Sequence, residues 1–339
     1  MTKDKQQEPK LSIVIPVYNS EDSLEELVAR LGKVLPDISS CFEVILVNDG
    51  SRDRSWEIIR QLGQQYTWIH GINMMRNYGQ HNALLCGLRA ANYEIVVTLD
   101  DDLQHPPEEI PLLLAKIDEG FDVVYGTPVQ QQHGLWRNLA SVITKLSLQG
   151  AMGVGNARNV SSFRAVRTQT REAFTQFRSP FVVLDVLLTW GTTRFTSVPT
   201  HHEPRQRGKS NYTFGKLIQH AINMVTGFTI LPLQFASLLG FGFAVFGVLV
   251  LIYVIGRYLI QGGSAPGFPF LASTIAIFSG VQLFALGIIG EYLARMHFRS
   301  MEKPTYTMRE QFSSQTSEEE DQTNKDSSPP PEGAEKGRP

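Results

Sequence analysis

Three consecutive aspartates at residues 100–102 stand where an apolar run ends and a proline turn begins. The run at 95–99 is short and rich in β-branched residues, which predicts a buried strand, and the Pro-Pro-Glu-Glu sequence at 106–109 suits the first turn of a helix. The acids should therefore lie at the carboxyl end of a strand, where open α/β sheets bind ligands. Oxygen ligands at this spacing suit Mg²⁺ or Mn²⁺ carrying phosphates, and a solvated acidic turn is the alternative.

The segments before the acids alternate between strand and helix patterns, which predicts an α/β domain with a parallel sheet covered on both faces. A second turn cluster, Asn48-Asp49-Gly50-Ser51, also follows a strand and should lie at the same edge as the acids. The expected strands are 11–19, 42–47, 69–74, 93–99 and 121–125, and the expected helices are 20–35, 55–62 and 79–91.

The region 136–212 completes this domain and ends in a basic, glycine-containing segment at 201–212. We interpret His201 and His202 as strand-end residues rather than metal ligands, because magnesium-type sites prefer oxygen. The expected elements are helices at 136–148, 167–177 and 181–190, a glycine-punctuated loop at 150–159, and strands at 162–166 and 195–199.

The composition changes after Lys216, since no Asp, Glu, Lys or Arg occurs between Lys216 and Arg257. Residues 231–258 and 268–293 are mainly apolar, and each stretch is longer than the roughly 18 to 20 residues that cross a bilayer. A short glycine-rich sequence joins them, which predicts a transmembrane hairpin with both ends on one side of the membrane. Two buried helices of a soluble domain are the alternative.

Basic residues predict the orientation of the hairpin. They are frequent before and after it, whereas only Arg257 lies near its turn, so both ends should face the cytoplasm. The apolar and polar positions of 213–230 recur at helical spacing, which predicts an amphipathic helix in the membrane interface. The segment 1–10 is polar without the apolar stretch of a signal peptide, and 313–339 has the composition of a disordered tail.

The overall composition excludes little. The 339 residues suffice for a sizeable core and for two domains. A net charge of −2 gives no indication of nucleic-acid binding, so any basic surface must be local. The two cysteines, Cys41 and Cys86, lack metal-ligand spacing and are expected to be reduced core residues, which fits a reducing compartment.

Four motifs, together with the hairpin, resemble the family 2 glycosyltransferases that act on polyprenyl phosphates. Any one motif is weak, but the four occur in the right order, and the similarity runs from Leu11 to Arg299. The paired helices resemble those of the bacterial undecaprenyl-phosphate sugar transferases. The motifs are Ile13-Val14-Ile15-Pro16-Val17-Tyr18-Asn19, Val47-Asn48-Asp49-Gly50-Ser51, Asp100-Asp101-Asp102-Leu103-Gln104-His105-Pro106-Pro107-Glu108 and Arg205-Gln206-Arg207-Gly208-Lys209-Ser210-Asn211-Tyr212.

This resemblance implies a GT-A fold, a Rossmann-like nucleotide-sugar domain at 11–212 that precedes the interfacial helix and the hairpin. It implies that Asp100 and Asp102 bind Mg²⁺ or Mn²⁺, with Asp102 the more direct ligand and a catalytic residue. It also implies that Arg205 is catalytic and holds the lipid phosphate or closes over the donor. The other implied substrate-binding residues are Pro16, Tyr18, Asn19, Asp49 as acceptor for the base or ribose, Arg76, Asp101, Gln104, Arg137, Lys209 and Ser210, together with Asp100 near the nucleotide.

Charge is the main difficulty of such a reaction. An acceptor phosphate monoester has a second pKa of about 6, so that it is largely a ready oxyanion at neutral pH and needs no strong general base. Two anions must still approach each other, so the metal and the arginines would contribute through positioning and electrostatics. The resemblance implies direct displacement at the anomeric carbon with inversion.

Two positions depart from the pattern of many relatives. Ser20 stands where many have a glutamate, and Ser162 stands where many have an acid before the Phe-Arg pair. If that acid is a base in the relatives, this chain lacks it, which the pKa of the acceptor makes tolerable. Asp185 either lies near the acceptor or has a structural role, and Arg76 either faces the donor diphosphate or is a surface residue.

Three other functions fit the residues less well. A prenyl synthase would need an acid three residues after the second aspartate of its pair, but Gln104 and His105 stand there. A processive polysaccharide synthase would carry a Q-x-x-R-W signature and more membrane helices. A non-catalytic membrane scaffold with a transferase fold is disfavoured by the intact acids and the intact basic segment.

The sequence therefore predicts transfer of a single sugar from a nucleotide-sugar donor to undecaprenyl phosphate at the cytoplasmic face of the bacterial inner membrane. UDP-glucose is the first candidate for the donor, and a UDP-linked amino or formamido sugar is the second. The lipid bilayer is a further partner. A homo-oligomer is also expected, because small membrane enzymes with one hairpin often associate.

Overall fold

The structure is a computed structural model that describes residues 9–128, 160–203, 231–261 and 268–313. The eight strands in this part of the chain are β1 Leu11–Val17, β2 Phe42–Asn48, β3 Ile69–Met74, β4 Ile95–Thr98, β5 Val123–Pro128, β6 Arg164–Arg167, β7 Phe195–Thr200 and β8 Met308–Phe312. The α-helices are α1 Leu24–Ile38, α2 Ser55–Gln65, α3 Gln80–Ala90, α4 Ile110–Asp118, α5 Leu184–Gly191, α6 Leu231–Gln261 and α7 Phe268–Ser300.

Helices cover both faces of one eight-stranded sheet, as the alternating pattern predicts. The apolar positions of α1 recur at helical spacing and are buried against one face together with α2 and α4. Helices α3 and α5 pack on the other face, where Cys86 lies in the core. Cys41 is half-buried, and both thiols are free.

The sheet is mixed, so the prediction of a parallel sheet is wrong for its outer strands. The strand order is β7-β5-β6-β4-β1-β2-β3-β8. The central strands β4, β1, β2 and β3 are parallel, whereas β6 is antiparallel to both of its neighbours and β8 is antiparallel to β3. Because β6 runs against β5, the chain leaves β5 and enters β6 at the same edge of the sheet.

This topology makes one edge of the sheet the place where several segments meet. Strands β1 to β4 end there, and so do β5 and β7, which are parallel to each other. Strand β8 begins there, since Met308 pairs with Met74 at the carboxyl end of β3. We call this side the carboxyl edge, and the peptide turns that follow β1 to β4 all lie on it.

Most predicted elements are present, with shifted ends. Helix α1 begins at Leu24 rather than at residue 20, and the expected helix at 167–177 is a 3₁₀ helix, Thr168–Phe174. The proline turn after the acids starts a short 3₁₀ helix, Pro107–Glu109, that leads into α4. The expected helices at 136–148 and 213–230, the loop at 150–159, and nearly all of the terminal segments 1–10 and 313–339 lie outside the described residues.

Helices α6 and α7 are long and apolar enough to cross a membrane. The two candidate spans are Pro232–Arg257 and Ile277–His297, judged by length and composition. Apolar side chains on both helices face outwards, and Leu238 and Leu283 are each 69% exposed. Such surfaces are unfavourable in water and suit the hydrocarbon core of a bilayer.

Candidate active site

Four turns at the carboxyl edge form the candidate site. They are the acid loop (99–105) after β4, the first turn (18–20) after β1, the Asp49 turn (48–51) after β2 and the Tyr78 loop (75–79) after β3. The chain continues from β1 to β2 on one side, and β4 adds to the other side of β1. This is the switch point of the sheet, where a crevice between neighbouring turns is expected to bind ligands.

Asp101 joins the acid loop to the first turn across this switch point. Its carboxylate accepts hydrogen bonds from the backbone N–H of Tyr18 (3.1 Å) and from the Ser20 hydroxyl, and its backbone carbonyl accepts one from the Ser23 hydroxyl (2.7 Å). Burial raises the pKa of Asp101 to about 7. The carboxylate therefore holds the first turn, and the contact of Asp101 with the substrate that the resemblance implied stays a prediction.

Residues 20–23 form a turn beside the acid loop, so that α1 begins only at Leu24. The hydroxyl groups of Ser20 and Ser23 both donate hydrogen bonds to Asp101. Asn19 adopts a positive φ of 55° and accepts from the backbone N–H of Arg52 (2.8 Å). Its own N–H donates to Ser51 (3.0 Å). The first turn is thus tied to the turns on both sides of it.

Asp100 is held by two side chains that sequence reasoning did not connect with it. The Gln80 amide donates to one carboxylate oxygen and the Ser162 hydroxyl donates to the other, both at 2.6 Å. Burial raises the pKa of Asp100, and the neighbouring charge of Asp102 raises it further. Ser162, which stands where many relatives have an acid, therefore donates a hydrogen bond to the Asp100 carboxylate.

A buried ion pair lies beneath Asp100. Arg164 is 1% exposed and forms an ion pair with Asp185, which is 4% exposed and also accepts from the Tyr125 hydroxyl (3.0 Å). The Arg164 Nε donates to Thr98 (3.2 Å), and the Thr98 hydroxyl donates to the carbonyl of Ser162 (2.6 Å). Asp185 thus has the structural role that was one of its two interpretations, and Arg164 places a positive charge under the acids.

Asp100 and Asp102 suit a divalent cation that also has ligands from a substrate. Both offer carboxylate oxygens, and their mutual repulsion would be relieved by a positive ion. Asp102 accepts from the backbone N–H of Gln104 (3.2 Å). Among the residues described, no group of three or more acidic, histidine or cysteine side chains that could hold a metal occurs. A cation here would therefore need further oxygen ligands from the substrate, as Mg²⁺ does when it binds with substrate phosphates.

Asp49 binds the Tyr78 loop. Its two carboxylate oxygens accept from the backbone N–H groups of Tyr78 (2.7 Å) and Gly79 (2.8 Å). Burial raises the pKa of Asp49 to about 6, although these two hydrogen bonds oppose the shift. Gly50, at φ +65°, brings the two turns into contact, because an added Cβ would lie 2.5 Å from the backbone of Arg76 and of Asn77.

Arg76 is exposed and lies over the ring of Tyr78, with 4.7 Å between the guanidinium carbon and the ring centroid. Desolvation opposes the shift, but interactions with Thr307 and with the charge of Arg76 lower the pKa of the Tyr78 hydroxyl. Such stacking restricts the arginine to one side of the loop while leaving its N–H groups available to an anion.

Gln104 faces the segment that follows β7. Its backbone carbonyl accepts from the N–H of Glu203 (3.0 Å), and its side-chain oxygen lies 2.9 Å from Nε2 of His202. Arg30 forms ion pairs with both Glu108 (2.8 Å) and Glu203 (3.2 Å). Residues 202 and 203, at the start of the basic segment, therefore lie beside the acid loop.

The remaining predicted site residues divide into two groups. Pro16 is buried within β1, opposite Val47, and Tyr18 and Asn19 are exposed in the first turn. The predictions for Arg137, Arg205, Lys209 and Ser210 fall outside the described residues. Gln80, Arg164 and Tyr78 were missed as contributors. Only the Arg-Asn-Tyr-Gly-Gln-His sequence around Tyr78 offered a signal, since it stands at a strand end.

The site thus combines two carboxylates suited to a metal, a loop with an exposed arginine and a tightly linked crevice between them. Such a site can bind a diphosphate and stabilise negative charge on it.

Comparisons with known proteins agree with this chemistry. Residues 12–175 match the profile of Glycosyl transferase family 2. An undecaprenyl-phosphate 4-deoxy-4-formamido-L-arabinose transferase of Salmonella choleraesuis is 36% identical over 300 residues, 88% of this chain and 92% of the relative.

Two solved structures share a weaker likeness. Glucosyl-3-phosphoglycerate synthase from Mycobacterium tuberculosis, in complex with Mn²⁺, UDP-glucose and phosphoglyceric acid, aligns with a TM-score of 0.48 and 19% identity over 65% of this chain and 79% of that one. The TarS fragment 1–349 of S. aureus, in complex with UDP-GlcNAc, aligns with a TM-score of 0.45 and 20% identity over 65% and 71% of the two chains.

Proposed function

Because the chain belongs to glycosyl transferase family 2, we propose that it transfers one sugar from a UDP-sugar to a polyprenyl phosphate at a membrane surface. The predicted family, the GT-A fold class and the assignment as a glycosyltransferase are confirmed. The donor sugar, the polyprenyl acceptor, the metal and the roles of single residues are parts of the proposal.

The observation that carries this function is that chain segments next to the membrane helices lie at the same edge of the sheet as the acids. Strand β8 begins at the carboxyl edge only eight residues after α7 ends at Ser300, and Glu203 in the segment after β7 donates to the acid loop. A nucleotide-sugar bound in the crevice would therefore lie close to the entry points of the membrane-associated part of the chain.

The likeness to the Salmonella transferase supports a lipid-phosphate acceptor. The aligned 300 residues exceed the 230 residues that precede α6, so the likeness extends beyond the sheet domain into the hairpin. Binding of the same type of acceptor by the hairpin would explain why both proteins have a hairpin next to the catalytic domain. We propose that the domain limits of 11–212, 213–230, 231–258 and 268–293 describe this division.

In this proposal, different residues of the crevice bind different parts of the nucleotide-sugar donor. Asp49, the first turn and Pro16 would bind the nucleoside, while Arg76 faces the diphosphate from the Tyr78 loop. Asp100 and Asp102 would hold Mg²⁺ or Mn²⁺, which when bound neutralises charge on the leaving diphosphate. Asp101 and Gln104 would keep the acid loop in place, through the contacts that they make with the first turn and with residues 202–203.

The reaction requires little proton transfer. An oxygen of the acceptor phosphate attacks the anomeric carbon as the bond from that carbon to the diphosphate oxygen breaks, and the bonding electrons leave with UDP. The acceptor oxygen is already largely deprotonated at neutral pH. Ser162 is bound to Asp100, so a general base at that position is absent and also unnecessary.

The basic segment supplies the charge that the acceptor needs. Arg205, Lys209 and Ser210 follow Glu203 closely in sequence, and Glu203 is bound to the acid loop by a backbone hydrogen bond. We propose that these residues, with Arg137, bind the lipid phosphate. Both ends of the hairpin would then face the cytoplasm in the bacterial inner membrane, and copies of the chain would associate as a homo-oligomer.

The donor is a UDP-sugar in this proposal. The name of the Salmonella relative favours a 4-deoxy-4-formamido-L-arabinose donor, whereas UDP-glucose is the first candidate from the sequence. The two differ at the sugar and share the diphosphate and the uridine, so that the crevice described above serves both.

Sugar transfer by the full-length protein in detergent tests the proposal. Radiolabelled donors, including UDP-glucose, UDP-4-deoxy-4-formamido-L-arabinose and GDP-sugars, would be offered with undecaprenyl phosphate, with and without Mn²⁺. One UDP-sugar should give a lipid product that depends on the metal and is labile to mild acid. Asp102→Asn should lower the rate at least about a hundredfold, since loss of even an outer-shell metal partner typically costs 10- to 100-fold.

Asp118→Asn is the matched control, because Asp118 is an exposed acid at the end of α4. This variant should retain the wild-type rate. Absence of product from every donor, with folded protein and lipid present, would reject the proposal in favour of a membrane scaffold.

A further inference from the structure

Strand β8, which follows the second long helix, docks against the sheet through a specific cavity. The ring of Phe312 fills a space between Gly63 of α2 and Gly71 of β3, where an added Cβ at either glycine would overlap the ring. The same ring contacts Trp56, with 5.8 Å between the ring centroids. Two glycines that leave room for one aromatic side chain indicate a fixed docking position for the strand.

A line of amide contacts runs from β8 to the end of β2. Glu310 accepts from the side-chain amide of Asn73 (3.0 Å), whose oxygen in turn accepts from the amide of Asn48 (2.8 Å). Asn48 immediately precedes Asp49, so the strand is joined to the turn that holds this carboxylate. These contacts lie on the half of the site that we assign to the nucleotide.

The start of β8 and the residues just before it hold the Tyr78 loop. The backbone N–H of Met75 donates to the carbonyl of Thr307 (2.9 Å), and the Arg309 guanidinium lies 3.4 Å from the carbonyl of Met75. One end of the loop thus depends on a segment more than 200 residues away in the sequence.

The Tyr78 loop is connected to the other residues of the nucleotide half. The N–H of Tyr78 donates to Asp49, and its ring lies under Arg76. We infer that β8 positions the Tyr78 loop and the Asp49 turn, and with them Arg76 and Asp49, for binding of the nucleotide diphosphate. This inference rests on the proposed function, since it assigns a purpose to the donor half of that site.

One consequence is that the donor site is completed by a segment that lies beyond the hairpin. Without β8 the edge of β3 and the cavity between the two glycines would be open to solvent, and the loop would lose its support. The membrane helices are therefore connected directly to the nucleotide half of the site.

A double-mutant cycle on the full-length protein in detergent tests this inference. UDP affinity and the KM for the UDP-sugar would be measured for Glu310→Ala, Asn73→Ala and the double variant. Each single change breaks the line of contacts from β8 to the Asp49 turn, so each should weaken UDP binding by roughly two- to tenfold. The double variant should bind UDP as well as Asn73→Ala does, because Glu310 acts on the turn through Asn73.

The KM for the acceptor and the kcat at saturating donor should remain within twofold of the wild-type values. Glu310→Gln keeps an accepting side-chain oxygen and should retain wild-type affinity. Glu172→Ala is the matched control, because Glu172 is exposed in the 3₁₀ helix Thr168–Phe174. A general loss of folding would instead raise the acceptor KM and lower kcat as well.

The inference is overturned if the wild-type protein binds UDP and transfers sugar while both single variants match it, or if their effects simply add. Failure of the wild-type protein to bind UDP or to use any nucleotide sugar would instead reject the proposed function.

Discussion

On the β4 side of the switch point, Asp100 accepts hydrogen bonds from a hydroxyl and an amide side chain, and a buried Arg164–Asp185 ion pair lies below it. On the β2 side, Asp49 is instead bound by two backbone N–H groups. The first side carries buried charge, and the second relies on close backbone packing at Gly50. The difference matches the proposed tasks, since a metal and a diphosphate need charge whereas a nucleoside needs a fixed shape.

The comparison also predicts which substitutions each side tolerates. A buried ion pair that loses one partner leaves an uncompensated charge in a low dielectric, which is costly. A turn held by the backbone is insensitive to distant charges but sensitive to added atoms. We therefore expect the loss of a charge to cost most stability on the acid side and added volume to cost most stability on the nucleotide side.

Arg164→Met should have the largest effect, because it leaves the Asp185 carboxylate buried without its ion-pair partner. The free energy of unfolding should fall by about 3–5 kcal/mol, measured by denaturant titration in detergent. Arg54→Met is the control, since the side chain of Arg54 is 82% exposed and its ion pair with Glu21 should contribute about 0–1 kcal/mol. An equal loss of unfolding free energy in both variants would contradict the claim that the acid side depends on a buried charge.

Gly50→Ala should have the second largest effect. The new methyl group would meet the backbone of the Tyr78 loop at 2.5 Å, and φ is +65°. We expect a loss of about 1–3 kcal/mol in stability and weaker UDP binding, measured by calorimetry. Gly50→Asn separates the two causes, because asparagine tolerates a positive φ better than alanine does but carries the same Cβ. That variant should lose at least as much stability as Gly50→Ala, and a clear recovery of stability would contradict the packing argument.

Asp49→Asn tests the nucleotide side through pH. Burial raises the pKa of Asp49 from 3.8 to about 6, so the folded protein keeps this proton while the unfolded chain loses it. The contribution of Asp49 to the free energy of unfolding is therefore greatest below about pH 4 and falls as the pH rises towards 6. The asparagine variant lacks this dependence and leaves one backbone N–H poorly paired, at a cost of about 1–3 kcal/mol.

The stability of wild type minus that of Asp49→Asn should therefore decrease between pH 4 and pH 6 and stay constant above pH 7. Denaturant titrations across this range provide the measurement. A difference that is constant, or that increases with pH, would show that the carboxylate is not desolvated.

Ser162→Ala should have the smallest effect and acts on the acid side. Loss of the hydroxyl removes one hydrogen bond to Asp100, worth about 1 kcal/mol, so the Mn²⁺ concentration for half-maximal transfer should rise a few-fold. Ser162→Thr keeps a hydroxyl and should behave like the wild-type protein. An unchanged metal requirement in the alanine variant would mean that Asp100 needs no such support.

Local patterns were sufficient for much of the fold. Apolar runs predicted β1 to β4, and helical spacing predicted α1 and α2. Burial of one face of a strand or helix produces a pattern over a few neighbouring residues, which can be recognised in the sequence. The positions of the acids and of Asp49 at strand ends followed directly. Strand β8 was missed, because four of its five residues are exposed at the sheet edge and its sequence, Met-Arg-Glu-Gln-Phe, has no apolar alternation.

The partners of the site residues were beyond local reasoning. Asp101 meets Ser20 across 81 positions and Asn73 meets Glu310 across 237, distances over which no periodicity persists. The antiparallel direction of β6 was also hidden, since a strand pattern is the same for both directions of the chain.

By itself the sequence determined the order of strands and helices, the long apolar helices and the edge at which the acids lie, because each depends on burial over a few neighbouring residues. Only the tertiary structure decided that Asp101 turns towards the first turn, that Asp185 pairs with Arg164, and that β8 pairs with the edge of β3. A carboxylate is directed by the donors around it, and in this protein those donors come from turns that only the folded sheet brings together.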